Sequence, residues 1–431
     1  MMTTTVQKRT MSSLLRRALE AALPPPTKKS TGSRALVDVV ADRLFKALPR
    51  PHDATLTLTK TEAEREDFVR DRRSRYFNPY EQLFVFRRVA TQPWDEAWRK
   101  NPLVLHDVDL VHAFHFPPYV EAEPHDQVEN VTKILTNHPG PVDCLRVDAS
   151  IFPPPELLGQ WMDMLSLKGV RELVMLDVYS PSSSVAAPLE FPLTRLRSPA
   201  LSTLSLGFVT VRFGTCFGFS ELKKIFLVCC QCSARDLSES VEKLEKLTSL
   251  LICGTDLGDG GAGAGAREGN LEIVSESLTR LELIECKACA LTIRHAPSVE
   301  LLSAGVSSSQ MKNPRVRWPR MERATTPVRI KLIQAESLEV IEGLMLSEQR
   351  VSFPGGQLFK VHTLKATLKM QVLQQWKHLF DVVAHLPVLR SLELTRDDDF
   401  CADEEVELPM PACFGDSLRH LRLNGYRASG A

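Results

Sequence analysis

The chain has 431 residues, 43% of them hydrophobic, and its 53 Lys and Arg balance 53 Asp and Glu. That is enough apolar material for a sizeable core, and the balance excludes a chain-wide basic surface of the kind that coats nucleic acid. No stretch approaches about 18 consecutive apolar residues, so no membrane-spanning helix is expected.

Charge is unevenly spread. Residues 1–100 carry 20 Lys and Arg against 12 Asp and Glu, so the remainder is acidic by the same margin of eight. An acidic body favours a protein partner over nucleic acid.

Residues 1–33 read as a disordered tail. The apolar run from Met11 to Leu23 is broken by Arg16, Arg17 and Glu20, which fits a short amphipathic helix and lacks the apolar centre of a secretory signal. Pro24-Pro25-Pro26 and the polar run to Ser33 then punctuate the chain like a linker. Leu36, Val39, Val40, Leu44 and Leu48 recur at helical spacing, and Pro49 ends that helix. Residues 55–80 are dense in charge, from Lys60 to Asp67 and from Arg70 to Arg75, and read as a solvated insertion. Trp94 and Trp98 stand four apart on one face of a second helix, a spacing that points to core packing. Leu103 to Leu105 is strand-like, His112 and His115 lie in a Pro-rich loop, and Val128 to Leu135 reads as a helix.

From Val142 onward one phrase recurs ten times: apolar, two residues, apolar, one residue, apolar. Its middle positions are Leu145, Leu173, Leu204, Ile225, Leu250, Leu281, Leu302, Leu364, Leu392 and Leu421. The last two apolar residues of each copy alternate with a polar neighbour, which is strand spacing with one face inward. A single copy cannot hide that face. Stacked copies bury it along a continuous core and pair their strands in parallel, as in a leucine-rich-repeat solenoid. Most middle positions are 21 to 31 residues apart, room for one strand and a return segment. The longer gap from 302 to 364 is expected to hold a weaker strand around Leu338 to Ile341. The fold class expected is therefore α/β: an irregular solenoid of parallel strands over residues 101–431, preceded by a small helical region over 34–100.

In such repeats a small hydrogen-bonding residue follows at the ninth position. Ser150, Cys230, Thr255 and Cys286 fill it here, while Val178, Val209 and Tyr426 depart from it. Three stretches interrupt the array: Ser180 to Pro188, Gly258 to Gly265, and 305–327. Gly258-Asp259-Gly260-Gly261-Ala262-Gly263 matches the spacing of a phosphate-binding turn but continues as Gly-Ala alternation, so it reads as a rim loop. The Cys286 and Cys289 pair has no second pair to complete a zinc site, and the ten cysteines form no disulfide framework, as expected of a reduced interior. No metal, cofactor or catalytic signature stands out, and a non-enzyme is expected.

Several stretches together resemble a known family. Ala35 to Ala54 is similar to the opening helix of an F-box, Trp94 to Asp107 to its tryptophan pair and the following strand, and Asn137 to Val147, Ser198 to Leu206 and His295 to Leu302 to its repeat phrasing. The chain resembles plant F-box proteins with a C-terminal leucine-rich-repeat array, of the kind abundant in grasses. The resemblance implies a substrate-recognition subunit of an SCF-type cullin–RING ubiquitin ligase, located in the cytoplasm and/or nucleus. Leu36, Val39, Val40, Leu44, Leu48 and Pro49 would dock on a Skp-type adaptor linked to a cullin, and the solenoid would hold a target protein. It implies no cofactor, nucleic acid or membrane. Two departures stand out: Leu36-Val37 occupies the place of the usual Leu-Pro, and the charged insertion 55–80 separates the helix from the tryptophans. They leave an alternative, a leucine-rich-repeat scaffold that has lost adaptor binding.

Overall fold

The computed structural model describes residues 102–107, 124–147, 152–177, 189–214, 218–258, 269–284, 286, 290–305, 329–368, 373–396 and 417–424. The proposed adaptor-docking residues, the tryptophan pair, His112, His115 and Cys289 lie outside them. The described residues belong to two compact units: residues 102–211 with 218–222, and residues 212–214 with 223–424.

In the first unit, strands β1 (Leu103–His106), β2 (Val142–Val147), β3 (Glu172–Leu176) and β5 (Thr203–Gly207) lie side by side in that order, all parallel. Leu105, Leu145, Leu173 and Leu204 fall in one register, and all four are fully buried. The return segments are helices α1 (Pro124–Asn137) and α2 (Pro155–Leu167), then a two-stranded parallel pair of β4 (Glu190–Phe191) and β6 (Thr210–Val211). Pro155 starts α2 where a missing N–H costs nothing. Leu158, Trp161, Met162 and Leu165 then form its buried stripe at i, i+3, i+4 and i+7. The Trp161 indole N–H donates to Thr132 Oγ1 at 3.0 Å and ties α2 to α1.

The second unit repeats the ladder with β7 (Lys224–Val228), β8 (Ser249–Cys253), β10 (Arg280–Ile284), β12 (Leu301–Gly305), β14 (Val340–Met345), β16 (Thr363–Leu368), β17 (Ser391–Arg396) and β18 (His420–Asn424). One register line runs through Ile225, Leu250, Leu281, Leu302, Ile341, Leu364, Leu392 and Leu421. Ile341 is the weaker strand expected inside the long gap. Leu421 is in register yet 46% exposed, because β18 is the last strand of the described sheet.

Here the return segments form a sheet of their own. Strands β9 (Asn270–Val274), β11 (Ala290–His295), β13 (Arg329–Leu332) and β15 (Arg350–Ser352) pair in parallel in that order. Between β8 and β16 the chain alternates between the two sheets. Each coil there is strand, turn, strand, and the inward rows of both sheets are buried. Helix α3 (Ala234–Lys243) flanks β9, and helix α4 (Leu373–Ala384) flanks β15.

Among the described residues the ladder shifts register between Leu103 and Val104 of β1 in the first unit and between Ile341 and Leu344 of β14 in the second. Gly343 has φ +75°, and a methyl group on Gly305 of β12 would stand 1.7 Å from the Gly343 carbonyl oxygen. Only glycine permits that approach. Buried Gln349 mends the gap: its Nε2 donates to the Ala304 carbonyl at 3.1 Å, and its Oε1 accepts from the Met345 N–H at 2.8 Å.

Candidate interaction surface

A strand turns alternate side chains to opposite faces, so the register that buries the leucines also aligns the residues between them. In the first unit the opposite face carries Val104 and Cys144 side by side, then Arg146, Val174 and Ser205 in one row. In the second unit the corresponding row is Phe226, Leu251, Glu282 and Ser303. Toward the end of the ladder it becomes Glu342, Lys365, Glu393 and Arg422, a row of alternating sign. Lys365 Nζ lies 3.1 Å from a Glu342 carboxylate oxygen, and Arg422 Nε lies 3.8 Å from Glu393.

The two ends of this face in the second unit differ in accessibility. Phe226 and Leu251 are each only 4% exposed, and Val228, Cys253 and Ile284 beside them are buried too. Their strands read as unbroken apolar runs, Ile225 to Val228 and Leu250 to Cys253, as parallel strands buried on both faces do. The Glu342-to-Arg422 end is half-buried to exposed. The accessible part of the open face is therefore a charged, hydrogen-bonding strip, with Thr363, Ser391, His420 and Asn424 on neighbouring outward positions. Such a strip on a rigid ladder suits a protein partner.

Of the ninth-position residues, Cys230, Thr255 and Cys286 sit at the exits of these strands and satisfy backbone there, while Ser150, Val178 and Tyr426 lie outside the described residues. Thr255 Oγ1 donates to the Cys253 carbonyl at 3.2 Å and accepts from the Cys230 N–H at 3.4 Å. Cys230 Sγ reaches the Val228 carbonyl, and Cys286 Sγ reaches the Ile252 carbonyl at 3.2 Å, bridging adjacent coils. All three are buried, and Val209 fills the equivalent place as plain apolar packing. Burial also raises the neighbouring Cys232 thiol well above its ordinary range, a setting that keeps it protonated and unreactive. Among the described residues no group of His, Cys, Asp and Glu is arranged to hold a metal, and no helix is long and apolar enough to cross a membrane.

The sequence reading did not anticipate how the second sheet is closed. The Glu272 N–H on the outer edge of β9 donates to Ser238 Oγ of α3 at 2.9 Å. On the other edge, the Val351 N–H of β15 donates to His378 Nε2 of α4 at 3.3 Å. Each helix thus supplies one acceptor at an edge of the described sheet, which blocks the addition of a foreign strand at that point.

A family model described as FBD-associated F-box protein At5g56370, LRR repeats, matches residues 158–374, about half of the chain. The matched span runs from within α2 to the start of α4. No curated protein matches the chain.

Proposed function

The chain belongs to the leucine-rich-repeat family of FBD-associated F-box proteins, and from that premise we propose that it is the substrate-recognition subunit of an SCF-type cullin–RING ubiquitin ligase. In this reading residues 34–100 dock on a Skp-type adaptor through Leu36, Val39, Val40, Leu44, Leu48 and Pro49. The adaptor links them to a cullin, and the solenoid over residues 101–431 holds the target protein. The protein works in the cytoplasm and/or nucleus, without cofactor, nucleic acid or membrane.

The observation that carries the reading is the ladder itself, whose outward charged row at Glu342, Lys365, Glu393 and Arg422 is held in fixed register by a buried leucine line. A surface of that kind is pre-organised to bind another protein. No bond need be made or broken by this chain: bringing target and ligase together raises their effective concentration.

The test is a pull-down of a Skp-type adaptor by the full chain. Wild type retains the adaptor, and the double variant L44D/L48D, which puts charge on the docking stripe, does not. A wild-type chain that fails to retain it favours the second reading, a repeat scaffold without adaptor binding, which the charged insertion 55–80 supports.

A further inference from the structure

The second sheet offers a surface of different chemistry. Its outward positions on β9, β11, β13 and β15 are set by the same alternation that buries Leu271, Ile273, Leu291, Ile293, Ile330, Leu332 and Val351. Arg329 stands directly across from Arg350 on the neighbouring strand, and Lys331 follows two residues along, across from Ser352. All four are exposed. Arg294 is also outward but pairs with Glu272. Among the described residues no carboxylate lies within ion-pair reach of Arg329, Lys331 or Arg350.

Two like charges directly opposite each other destabilise a sheet. Elsewhere the fold avoids this: across β14, β16, β17 and β18 the outward charges alternate in sign. The basic trio is an exception on a body that is net acidic beyond residue 100. A ligand with negative charge would remove the repulsion and add attraction, which is electrostatic complementarity with a defined sign.

We propose that the outer face of this sheet, centred on Arg329, Lys331 and Arg350, is a second docking surface, for an extended acidic segment of a partner protein. The spacing selects the form. Alternate residues of one strand are about 6.6 Å apart and neighbouring strands about 4.8 Å. An extended peptide with carboxylates at every second position matches Arg329 and Lys331, with Arg350 bracketing the first. The outward positions carry no aromatic ring on which a base could stack, which disfavours single-stranded nucleic acid. Both sheet edges are closed by Ser238 and His378, so the segment lies on the face and does not add as a strand at those points.

The experiment is fluorescence anisotropy with the full chain and a fluorescein-labelled (Asp-Ser)6 peptide at low and at physiological salt. Wild type binds, more weakly as salt rises. R329E/R350E binds at least tenfold more weakly, whereas K223E, at an exposed lysine ahead of β7, binds like wild type. A single R350E also weakens binding but melts no lower than wild type, because it removes a like-charge pair; this separates lost docking from lost folding. The proposal fails if wild type does not bind the peptide or if R329E/R350E binds it as wild type does. It also fails if a single-stranded RNA of equal charge binds this face more tightly than the peptide.

Discussion

Leu250 and Leu421 occupy the same line of the ladder and stand in opposite surroundings: Leu250 is fully buried and Leu421 is nearly half exposed. Replacing Leu250 by Ala should cost about 2–5 kcal/mol, transfer plus cavity, and L421A about 1 kcal/mol, both read from urea midpoints. Equal losses would mean that register alone, not burial, sets the contribution. Thr255 sits at a strand exit with both roles of its hydroxyl used. T255V keeps its shape but strips the acceptor from a buried N–H, and should cost about 1–3 kcal/mol, with T255S close to wild type. His138, just before β2, donates from Nε2 to the Pro141 carbonyl at 3.1 Å. Burial pushes its pKa from 6.5 down to about 4, against the pull of that hydrogen bond and helped by the Lys168 ammonium. The unfolded chain therefore takes up a proton between those values that the fold refuses. This contribution is complete above pH 6.5 and is lost as the pH falls toward about 4, worth up to about 3 kcal/mol. Urea unfolding at pH 7.5 and pH 4.5 should show the acid loss reduced by that amount in H138Q.

At the level of elements, the ladder strands and the return helix around Val128 to Leu135 were legible, and the returns that pair as a second sheet were not. Each ladder strand announces itself locally, since the spacing Leu281-x-Leu283 or Leu392-x-Leu394 fixes which face is inward. Even the strand at Ile341 could be found from the length of the gap. The second sheet carries the same alternation in Leu271-x-Ile273, Leu291-x-Ile293 and Ile330-x-Leu332. These runs are only four to six residues long, too short to separate strand from helix without their neighbours. The edge contacts were invisible for another reason: Ser238 and Glu272 are 34 positions apart, and His378 and Val351 are 27 apart. No local pattern links them. Their effect is measurable by hydrogen exchange. S238A should speed exchange of the Glu272 amide, and H378A that of the Val351 amide, with the central β11 and β13 amides unchanged. Burial, then the charge of Arg350, lower the His378 pKa and favour the neutral ring, and the Val351 N–H donated to Nε2 assigns that ring's one proton to Nδ1. Acidification through the lowered pKa should therefore open the β15 edge in wild type as H378A does. Exchange at both edges that ignores the substitutions would show that the helices do not guard them.

At the scale of the whole molecule, a repeating interior produces a non-repeating exterior. The same register that stacks leucines aligns a charged row on one sheet and a basic trio on the other. Selection can vary those outward residues at little cost to the fold, which is what a recognition module requires. The docking stripe at Leu36 to Leu48 was read from helical spacing and family likeness, and it lies outside the described residues. In the proposed function stripe and ladder share one job: the ladder holds a target and the stripe holds a ligase. Size-exclusion chromatography with light scattering, on the full chain mixed with a Skp-type adaptor and a cullin, tests this most directly. The account predicts one co-eluting particle whose mass is that of one copy of each. A chain that elutes alone at its own mass, with adaptor and cullin in their own peak, would contradict it.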